Sequence, residues 1–474
     1  MSDQPQHATV GIVGGGIAGL AAACALAESG FQVTVFERRP FVGGRASSYE
    51  HPGTGEIVDN CQHVLLGCCT NLLNFYRRVG VLDKIRWFDR LTFLEPGGRS
   101  SEIGPSFLPA PLHTSPSFLK ASSLSLADKI AISRAMFALA GPVPPDSALS
   151  FAEWLRQHHQ PQKAIDRFWK VVLVSAINED LDRISVRYGA QVFRESFLKS
   201  AEAGKMGVPT VPLSELYSRA IDRIEQRGGQ VRLRTSVDSI VAEPQSTVLQ
   251  AGGDLERYDF AILAVPHQLL GKLLPTQNGS RELSLTLAAQ VAKLESSPIT
   301  GIHLWFDREI TELPHAVLLD RTIQWMFQKS KLQQRREAEQ GSYLELVVSS
   351  SKSLVEMGRQ EIIDLALREL AEFFPAALDA RLLKATVVKE VHATYSALPG
   401  SDSYRPQPRS PWPRIFLAGD WTATGWPATM EGAVRSGYRA AELVAKEAGH
   451  ELSFLVPDLS ATGLMKLFAL GQSR

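Results

Sequence analysis

The chain has 474 residues, about three times the ~150 residues of a typical domain, so we expect more than one packed unit. Its 50 Lys and Arg residues balance its 50 Asp and Glu residues, which leaves none of the basic surplus that nucleic-acid binding usually requires. Apolar residues make up 44% and charged residues 21% of the chain, a composition that indicates a globular protein rather than a disordered one.

The cysteines and the N-terminal residues indicate in which cellular compartment the protein is expected. The four cysteines match neither a disulfide framework nor a paired metal-binding pattern, so we predict a reducing, cytoplasmic location and no metal site. Residues 1–8 are polar and the apolar run from Val10 is interrupted by glycines, which is unlike a signal peptide. No stretch approaches the ~20 apolar residues of a spanning helix, although peripheral contact with the inner face of the cytoplasmic membrane stays open.

The first elements form a strand, a glycine-rich turn, a helix and a second strand. The predicted strand Thr9–Val13 leads into GGGIAG at residues 14–19, which begins a helix of small residues that runs to residue 29. A second strand, Gln32–Phe36, follows and ends at Glu37. This order is typical of the first half of a dinucleotide-binding domain.

Each residue of this fingerprint has a mechanical reason to be there. Gly14 makes the tight turn, Gly16 lets the backbone approach a pyrophosphate at the helix N-terminus, and Gly19 lets the helix pack closely on the strand. Glu37 is spaced to accept hydrogen bonds from a ribose, and its charge would repel a 2′-phosphate. The motif therefore predicts a dinucleotide without a 2′-phosphate.

A glycine-rich loop, RRPFVGGR at residues 38–45, identifies which dinucleotide is expected. Arg38, Gly44 and Arg45 are candidates to bring backbone and guanidinium groups to a second phosphate. Together with the first motif, this string resembles the superfamily of flavin-containing amine oxidases and phytoene desaturases, which binds FAD. The resemblance implies that Arg45 contacts the FAD phosphates. It also implies an α/β fold: a Rossmann-like FAD-binding domain of the GR2 type with an inserted mixed α+β substrate domain.

The next informative string is DNCQHVLLGCCTN at residues 59–71. In the superfamily this place usually carries an Asp and a glycine-rich stretch beside the flavin ring, whereas here Asn60, Cys61 and Gln62 follow the Asp. Because the resemblance places this loop beside the flavin, Asp59, Gln62 and His63 are our candidate catalytic residues. A purely structural hydrogen bond is the alternative for His63.

Two segments are candidates for contact with a lipid phase. Residues 104–150 carry few charges, which fits an apolar tunnel lip or a membrane-dipping face as well as ordinary core and loop. The C-terminal tail has the same ambiguity. Its apolar residues are Leu452, Phe454, Leu455, Leu464, Met465, Leu467 and Phe468.

The middle of the chain is predicted to return to the cofactor domain. Val231–Thr235, Val237–Val241 and Thr247–Gln250 predict a meander, and Phe260–Val265 predicts a strand that ends at Pro266. The resemblance implies that the backbone of Val237 meets the adenine. The expected FAD-binding domain is therefore discontinuous. It comprises residues 1–80, 205–266 and 386–448, with a substrate domain from 81–204 and 267–385 and a tail over 449–474.

The C-terminal part carries a second cofactor signature. A predicted strand, Arg414–Ala418, is followed by Gly419 and Asp420 and by a helix that opens near Pro427 and runs to about residue 448. The resemblance implies that Asp420 accepts hydrogen bonds from the flavin ribityl chain.

The start of that helix has its own electrostatic meaning. Its free N–H groups, around Met430, Glu431 and Ala433, would stabilise negative charge on the N1/C2=O edge of reduced flavin.

These strings taken together resemble the squalene-associated FAD-dependent branch, the hydroxysqualene dehydroxylases of hopanoid biosynthesis. The resemblance implies a hydrophobic C30 isoprenoid substrate, whose hydroxyl group is replaced by hydrogen at the expense of reduced flavin. A second GxGxxG is absent from the sequence, so the electron donor is expected to be external and its identity stays open.

Three other functions were weighed. An amine oxidase is disfavoured, because the superfamily's lysine near flavin N5 has no counterpart in Ser297–Phe306. A carotenoid-type desaturase, which runs the flavin in the oxidative direction, is the main alternative. A non-catalytic prenyl-lipid carrier of the same fold is disfavoured by Glu37, Arg45 and Asp420, which complete the FAD signature.

Overall fold

The computed structural model describes residues 8–141, 149–277, 279–333 and 341–466. Residues 142–148 of the charge-poor segment, and Leu467 and Phe468 of the tail, lie outside the described residues. The strands, numbered in chain order, are β1 (Thr9–Val13), β2 (Gln32–Phe36), β3 (Ser48–Glu50), β4 (Ile57–Asp59), β5 (Leu65–Leu66), β6 (Ile85–Phe88), β7 (Leu91–Leu94), β8 (Ser100–Ile103), β9 (Met206–Pro209), β10 (Gln230–Arg232), β11 (Val237–Ala242), β12 (Thr247–Ala251), β13 (Asp254–Tyr258), β14 (Phe260–Leu263), β15 (Ser296–Phe306), β16 (His315–Leu318), β17 (Trp325–Gln328), β18 (Ser342–Ser349), β19 (Leu382–Tyr395) and β20 (Ile415–Leu417).

The helices divide between the two ends of the chain and a long middle stretch. In the same order they are α1 (Ile17–Glu28), α2 (Thr70–Val79), α3 (Ser115–Lys120), α4 (Leu126–Ala140), α5 (Phe151–Gln157), α6 (Gln162–Ala164), α7 (Lys170–Ile177), α8 (Val186–Phe193), α9 (Leu213–Glu225), α10 (His267–Leu273), α11 (Arg281–Val291), α12 (Lys329–Leu332), α13 (Arg359–Phe373) and α14 (Met430–Glu447). Among the described residues, no helix combines the length and the apolar character needed to cross a membrane.

A five-stranded parallel sheet holds the two ends of the chain together, in the order β10-β2-β1-β14-β20. Strands β1 and β2 have the predicted bounds, and β20 lies within the predicted strand before Gly419. Helix α1 is buried along almost its whole length and packs on α14, where a Cβ at Gly437 would lie 2.2 Å from the carbonyl oxygen of Ala18. The α/β, Rossmann-like fold predicted from the glycine motif is confirmed.

The prediction for the middle segment was partly wrong. Residues 231–235 do not belong to the meander, because β10 pairs in parallel with β2 at the edge of the five-stranded sheet. The antiparallel meander is β11-β12-β13, and its third strand, Asp254–Tyr258, was not predicted. Three of its five residues are charged, which is more typical of a loop, whereas Gly252 and Gly253, both at positive φ, supply the tight turn before it.

A second, seven-stranded sheet carries the order β19-β15-β18-β17-β16-β7-β8. One face is covered by α13, whose Ile362, Ala366 and Leu370 pack into the same core as Leu304 and Leu344 of the sheet. The opposite face packs against the segment that follows β4. The predicted domain boundaries stay a prediction, and β19 runs across the one at residue 386.

Candidate active site

A cavity of about 630 Å³ opens beside the parallel sheet, where β1 and β2 lead into their loops. It brings together residues that are far apart in the sequence. Eleven of the thirteen predicted cofactor-binding residues line it: Gly14, Gly16, Glu37, Arg38, Gly44, Arg45, Val237, Gly419, Asp420, Met430 and Ala433. Gln62 and His63 from the candidate catalytic loop line it as well.

The N-terminus of α1 forms one wall of this cavity. No side chain caps α1, so its first N–H groups stay available to an anion. A Cβ at Gly16 would meet only the Cα of Gly44, 3.9 Å away, which means that a side chain there would project into the cavity. The Glu37 carboxylate is held at the edge by the N–H groups of Gly15 and Arg39, each at 2.8 Å. This cradle fits the pyrophosphate and ribose of a dinucleotide.

The opposite wall is built around an ion pair. Arg45 donates to Asp420 at 2.6 Å and to the carbonyl of Ala393 at 2.7 Å. The loop after Asp420 is fixed from behind by the fully buried Arg405, which donates to the carbonyl oxygens of Asp420, Thr422 and Trp426. Arg405 carries no motif that could have revealed this role in the sequence.

Two predicted cofactor residues lie outside the cavity. Gly19 packs in the helix–strand junction, where a Cβ would lie 2.0 Å from the carbonyl oxygen of Gly14. The Glu431 carboxylate is turned away from the cavity and accepts the backbone N–H groups of Asn71 and Leu72, at the start of α2. Glu431 therefore caps α2, and only its backbone remains for the cofactor.

The loop after β4 presents His63 to the cavity in a defined protonation state. Its Nδ1 lies 2.7 Å from the carbonyl oxygen of Cys61, which can only accept, so Nδ1 carries the proton. Burial lowers the pKa of His63, which makes the neutral ring with a free Nε2 lone pair the dominant form at neutral pH. Nε2 is thus the atom that can take up or release a proton in the cavity.

Asp59 does not face the cavity. Its carboxylate is 2% exposed and accepts hydrogen bonds from Ser48, the backbone of Leu213 and Lys329. Burial alone would raise the pKa of Asp59, but the Lys329 ammonium and these hydrogen bonds outweigh it and lower the pKa to about 2. Asp59 is therefore a permanent carboxylate at neutral pH and cannot donate a proton.

A second cavity, of about 720 Å³, lies between the helices of the middle stretch and the sheets. Its walls are mostly apolar. They include Leu66, Phe118, Ile132, Met136, Phe168, Val172 and Phe197, with Cys68 and Cys69 among them. The two cavities share five lining residues: Val64, Ser175, Ala176, Thr429 and Met430. A long apolar molecule in this cavity would therefore reach the His63 side of the cofactor cavity.

Comparison with known proteins agrees with this geometry. The profile of the flavin containing amine oxidoreductase family matches residues 17–445. A probable zeta-carotene desaturase of Synechococcus elongatus is 30% identical over 475 residues, which cover 91% of this chain and 98% of that protein. The 15-cis-phytoene desaturase of the same organism is 28% identical over 458 residues, which cover 92% of this chain and 95% of that protein.

Solved structures share the fold. An oxidoreductase from Methanosarcina mazei superposes with a TM-score of 0.70 at 16% identity, over 90% of this chain and 98% of that one. Cyclohexylamine oxidase from Brevibacterium oxydans gives 0.67 at 18% identity, over 94% and 100%. The chain belongs to the flavin containing amine oxidoreductase family, and FAD is its cofactor.

Proposed function

We propose that this member of the family catalyses the reductive dehydroxylation of hydroxysqualene to squalene. Bound FAD, in its reduced form, supplies the hydride. The C–O bond of the substrate breaks, a proton joins the departing hydroxyl to give water, and the hydride forms the new C–H bond. The protein must therefore hold a long apolar chain, deliver one proton and exclude bulk water.

The observation that carries this proposal is the junction of the two cavities. An apolar cavity of about 720 Å³ is within the usual range of ~300–1,000 Å³ for ligand sites, and it opens onto the cofactor cavity through small or apolar residues. Its lining suits an isoprenoid chain far better than a polar amine. At the junction, the Ser175 hydroxyl accepts from the Trp325 indole and can donate its own hydrogen to a substrate oxygen, whereas the Thr429 hydroxyl caps α14.

Within this proposal His63 handles the proton. Asp59 is excluded from that role because its pKa is lowered to about 2 by Lys329, after the opposing effect of burial. His63 rests as the neutral ring, so it must first take up a proton at Nε2; because burial lowers the pKa of His63, the imidazolium formed in this way releases that proton readily to a departing hydroxyl. Gln62, beside it in the cavity, orients the reacting groups.

A carotenoid-type desaturase is the second candidate. It is favoured by the curated relatives, which are named as phytoene and zeta-carotene desaturases and match more than nine tenths of this chain. In that reaction the hydride moves from the isoprenoid to the flavin, and the neutral His63 would accept the proton. The same cavities serve both directions, so the substrate decides between them.

We further propose peripheral contact with the inner face of the cytoplasmic membrane, which would give a C30 substrate a route to the apolar cavity. Leu126 and Phe137 on α4 are 67% and 70% exposed, and Phe137 also lines that cavity. Leu119 beside them is exposed too, and Arg134 adds a positive charge for anionic headgroups. The electron donor in this proposal is external to the chain.

Anaerobic single turnover tests the proposal. The FAD-loaded protein is reduced chemically and mixed with hydroxysqualene, and we expect flavin reoxidation together with one squalene per flavin. In the parallel arm, oxidised protein is mixed with phytoene. Flavin reduction and a desaturated product in that arm, with none in the first, would replace the dehydroxylase by the desaturase.

A further inference from the structure

A cluster of buried charges lies directly behind the loop that faces the flavin. Lys329 at the start of α12 and Glu345 on β18 are 1% and 0% exposed, and both belong to the seven-stranded sheet side of the molecule. Asp59, from the end of β4, completes the cluster at 2% exposure. None of the three lines either cavity.

The Lys329 ammonium group contacts three acceptor groups. Its Nζ lies 2.5 Å from Asp59 Oδ2, 2.8 Å from Gln62 Oε1 and 3.2 Å from Glu345 Oε2. An ammonium has three hydrogens, so these contacts take its full donor capacity. Because Gln62 itself lines the cofactor cavity, Lys329 connects the buried cluster to the flavin side of the loop.

The cluster has one carboxylate more than it has cations. With both carboxylates ionised its net charge is −1, and with one protonated it is neutral, which is the cheaper state for buried groups. Asp59 receives hydrogen bonds from Ser48, Leu213, Lys329 and Gln333, whereas the contact of Glu345 with Lys329 is longer, at 3.2 Å, and poorly aligned for a hydrogen bond. The exchangeable proton therefore belongs on Glu345.

The surroundings of Glu345 reinforce this assignment. His303 on β15 lies opposite Glu345 in the sheet register, and Tyr343 precedes it by two residues on the same strand. Cys61 in the loop and Glu390 on β19 are the other titratable groups around the cluster. Burial and the neighbouring carboxylates raise the pKa of Cys61, so this thiol stays neutral. Burial raises the pKa of Glu345 to about 7, although Lys329 acts in the opposite direction.

We propose that Lys329 and Glu345 form a proton-exchanging clamp on the flavin-facing loop, in which Lys329 positions Gln62 and Glu345 gains or loses the proton that sets the charge of the cluster. When Glu345 loses its proton, it competes with Gln62 for the Lys329 ammonium and loosens the Gln62 side chain. Lys329 and Glu345 are positioning residues in this scheme. The clamp needs FAD in the cavity but is independent of which isoprenoid is the substrate.

The test uses FAD-loaded protein without substrate. We expect the visible flavin spectrum of the wild type to change in a single transition between about pH 6 and 8, the window of a carboxyl whose pKa is raised this far. Glu345→Gln should abolish the transition and hold the spectrum of the low-pH wild type at every pH. His63→Asn is the matched control, because His63 is a titratable side chain that itself lines the cofactor cavity, and this variant should keep the transition.

Infrared difference spectra of the wild type supply a second readout that needs no variant to fold. Raising the pH through the same window should remove the carbonyl stretch of one protonated carboxyl group. Three results would each contradict the proposed clamp. They are a spectral transition that survives in Glu345→Gln, a transition that disappears in His63→Asn, and the absence of any carboxyl signal in the infrared spectra. None of these results depends on turnover, so the proposed function stands or falls separately.

Discussion

Replacing Gly16 with valine should abolish FAD binding while leaving the apoprotein folded. Gly16 has φ −74° and ψ 174°, values that any residue adopts, and a Cβ there would meet no atom closer than 3.9 Å. The valine methyl groups would instead occupy the cavity where the pyrophosphate approaches the N-terminus of α1. If two backbone hydrogen bonds to phosphate are lost, at about 1.5–3 kcal/mol each, FAD affinity falls by about 10²–10⁴-fold.

The matched control is Gly19→Ala, which places a smaller group three residues further along the same motif. Its Cβ would lie 2.0 Å from the backbone oxygen of Gly14, which cannot move aside cheaply. Overpacking of this kind costs about 1–3 kcal/mol, more than the ~1 kcal/mol that alanine gains over glycine in a helix. Urea unfolding of the apoproteins and calorimetric titration with FAD separate the two effects. Full FAD occupancy in Gly16→Val, or wild-type stability in Gly19→Ala, would refute the reasoning.

Three further outcomes are expected. His63→Gln should slow single-turnover squalene formation from prereduced protein by about 10²-fold with normal FAD content, and a wild-type rate would remove His63 from the chemistry. Leu126→Asp combined with Phe137→Asp should weaken flotation with anionic liposomes without changing the fold, because both side chains are largely exposed. Unchanged flotation would show that this face of α4 does not bind the membrane. Asp59→Asn should lower the free energy of unfolding at pH 7 by about 3–5 kcal/mol, because it leaves Lys329 buried without its closest partner. The pKa of Asp59 in the folded state lies below its unfolded value, so the stability that the wild type has over the variant should shrink as the pH falls from 3.8 towards about 2. A difference in the free energy of unfolding that stays constant across that range, measured with urea, would contradict the ion pair.

The cofactor half of the site could be predicted because it is encoded in contiguous motifs. Strand β1, the glycine turn and β2 are adjacent in the sequence, and their functional groups are backbone N–H groups whose direction follows from the secondary structure. Backbone geometry is a local property, so thirteen candidate cofactor-binding residues could be named from the sequence, and eleven of them line one cavity. The third meander strand was not predicted because three of its five residues are charged, a composition more typical of a loop.

The buried ion pair of Asp59 and Lys329 could not be predicted, because its two residues do not belong to one contiguous motif. Asp59 and Lys329 are 270 residues apart, and their contact depends on which face of the seven-stranded sheet packs against the loop after β4. The segment that corresponds to the lysine-bearing strand of amine oxidases, 297–306, belongs to β15, whereas the buried Lys329 begins α12, after β17. An isolated Asp in a loop therefore looked like an acid until its partner was known.

This difference explains why the cofactor is better determined than the direction of the reaction. Hydride transfer to or from an isoprenoid needs the same apolar cavity and the same flavin, so the cavities fit both reactions, whereas the curated relatives are named as desaturases. What separates them is the proton: reduction of an alcohol consumes one at the departing oxygen, whereas desaturation releases one. His63, neutral at rest and with Nδ1 bonded to the Cys61 carbonyl, can take part in either reaction. The hydroxyl groups at the junction do not separate the two reactions, because Thr429 caps α14 and Ser175 accepts from the Trp325 indole. The direction of the reaction is therefore decided by which substrate exchanges hydride with the flavin, and the single-turnover arms with hydroxysqualene and with phytoene measure that directly.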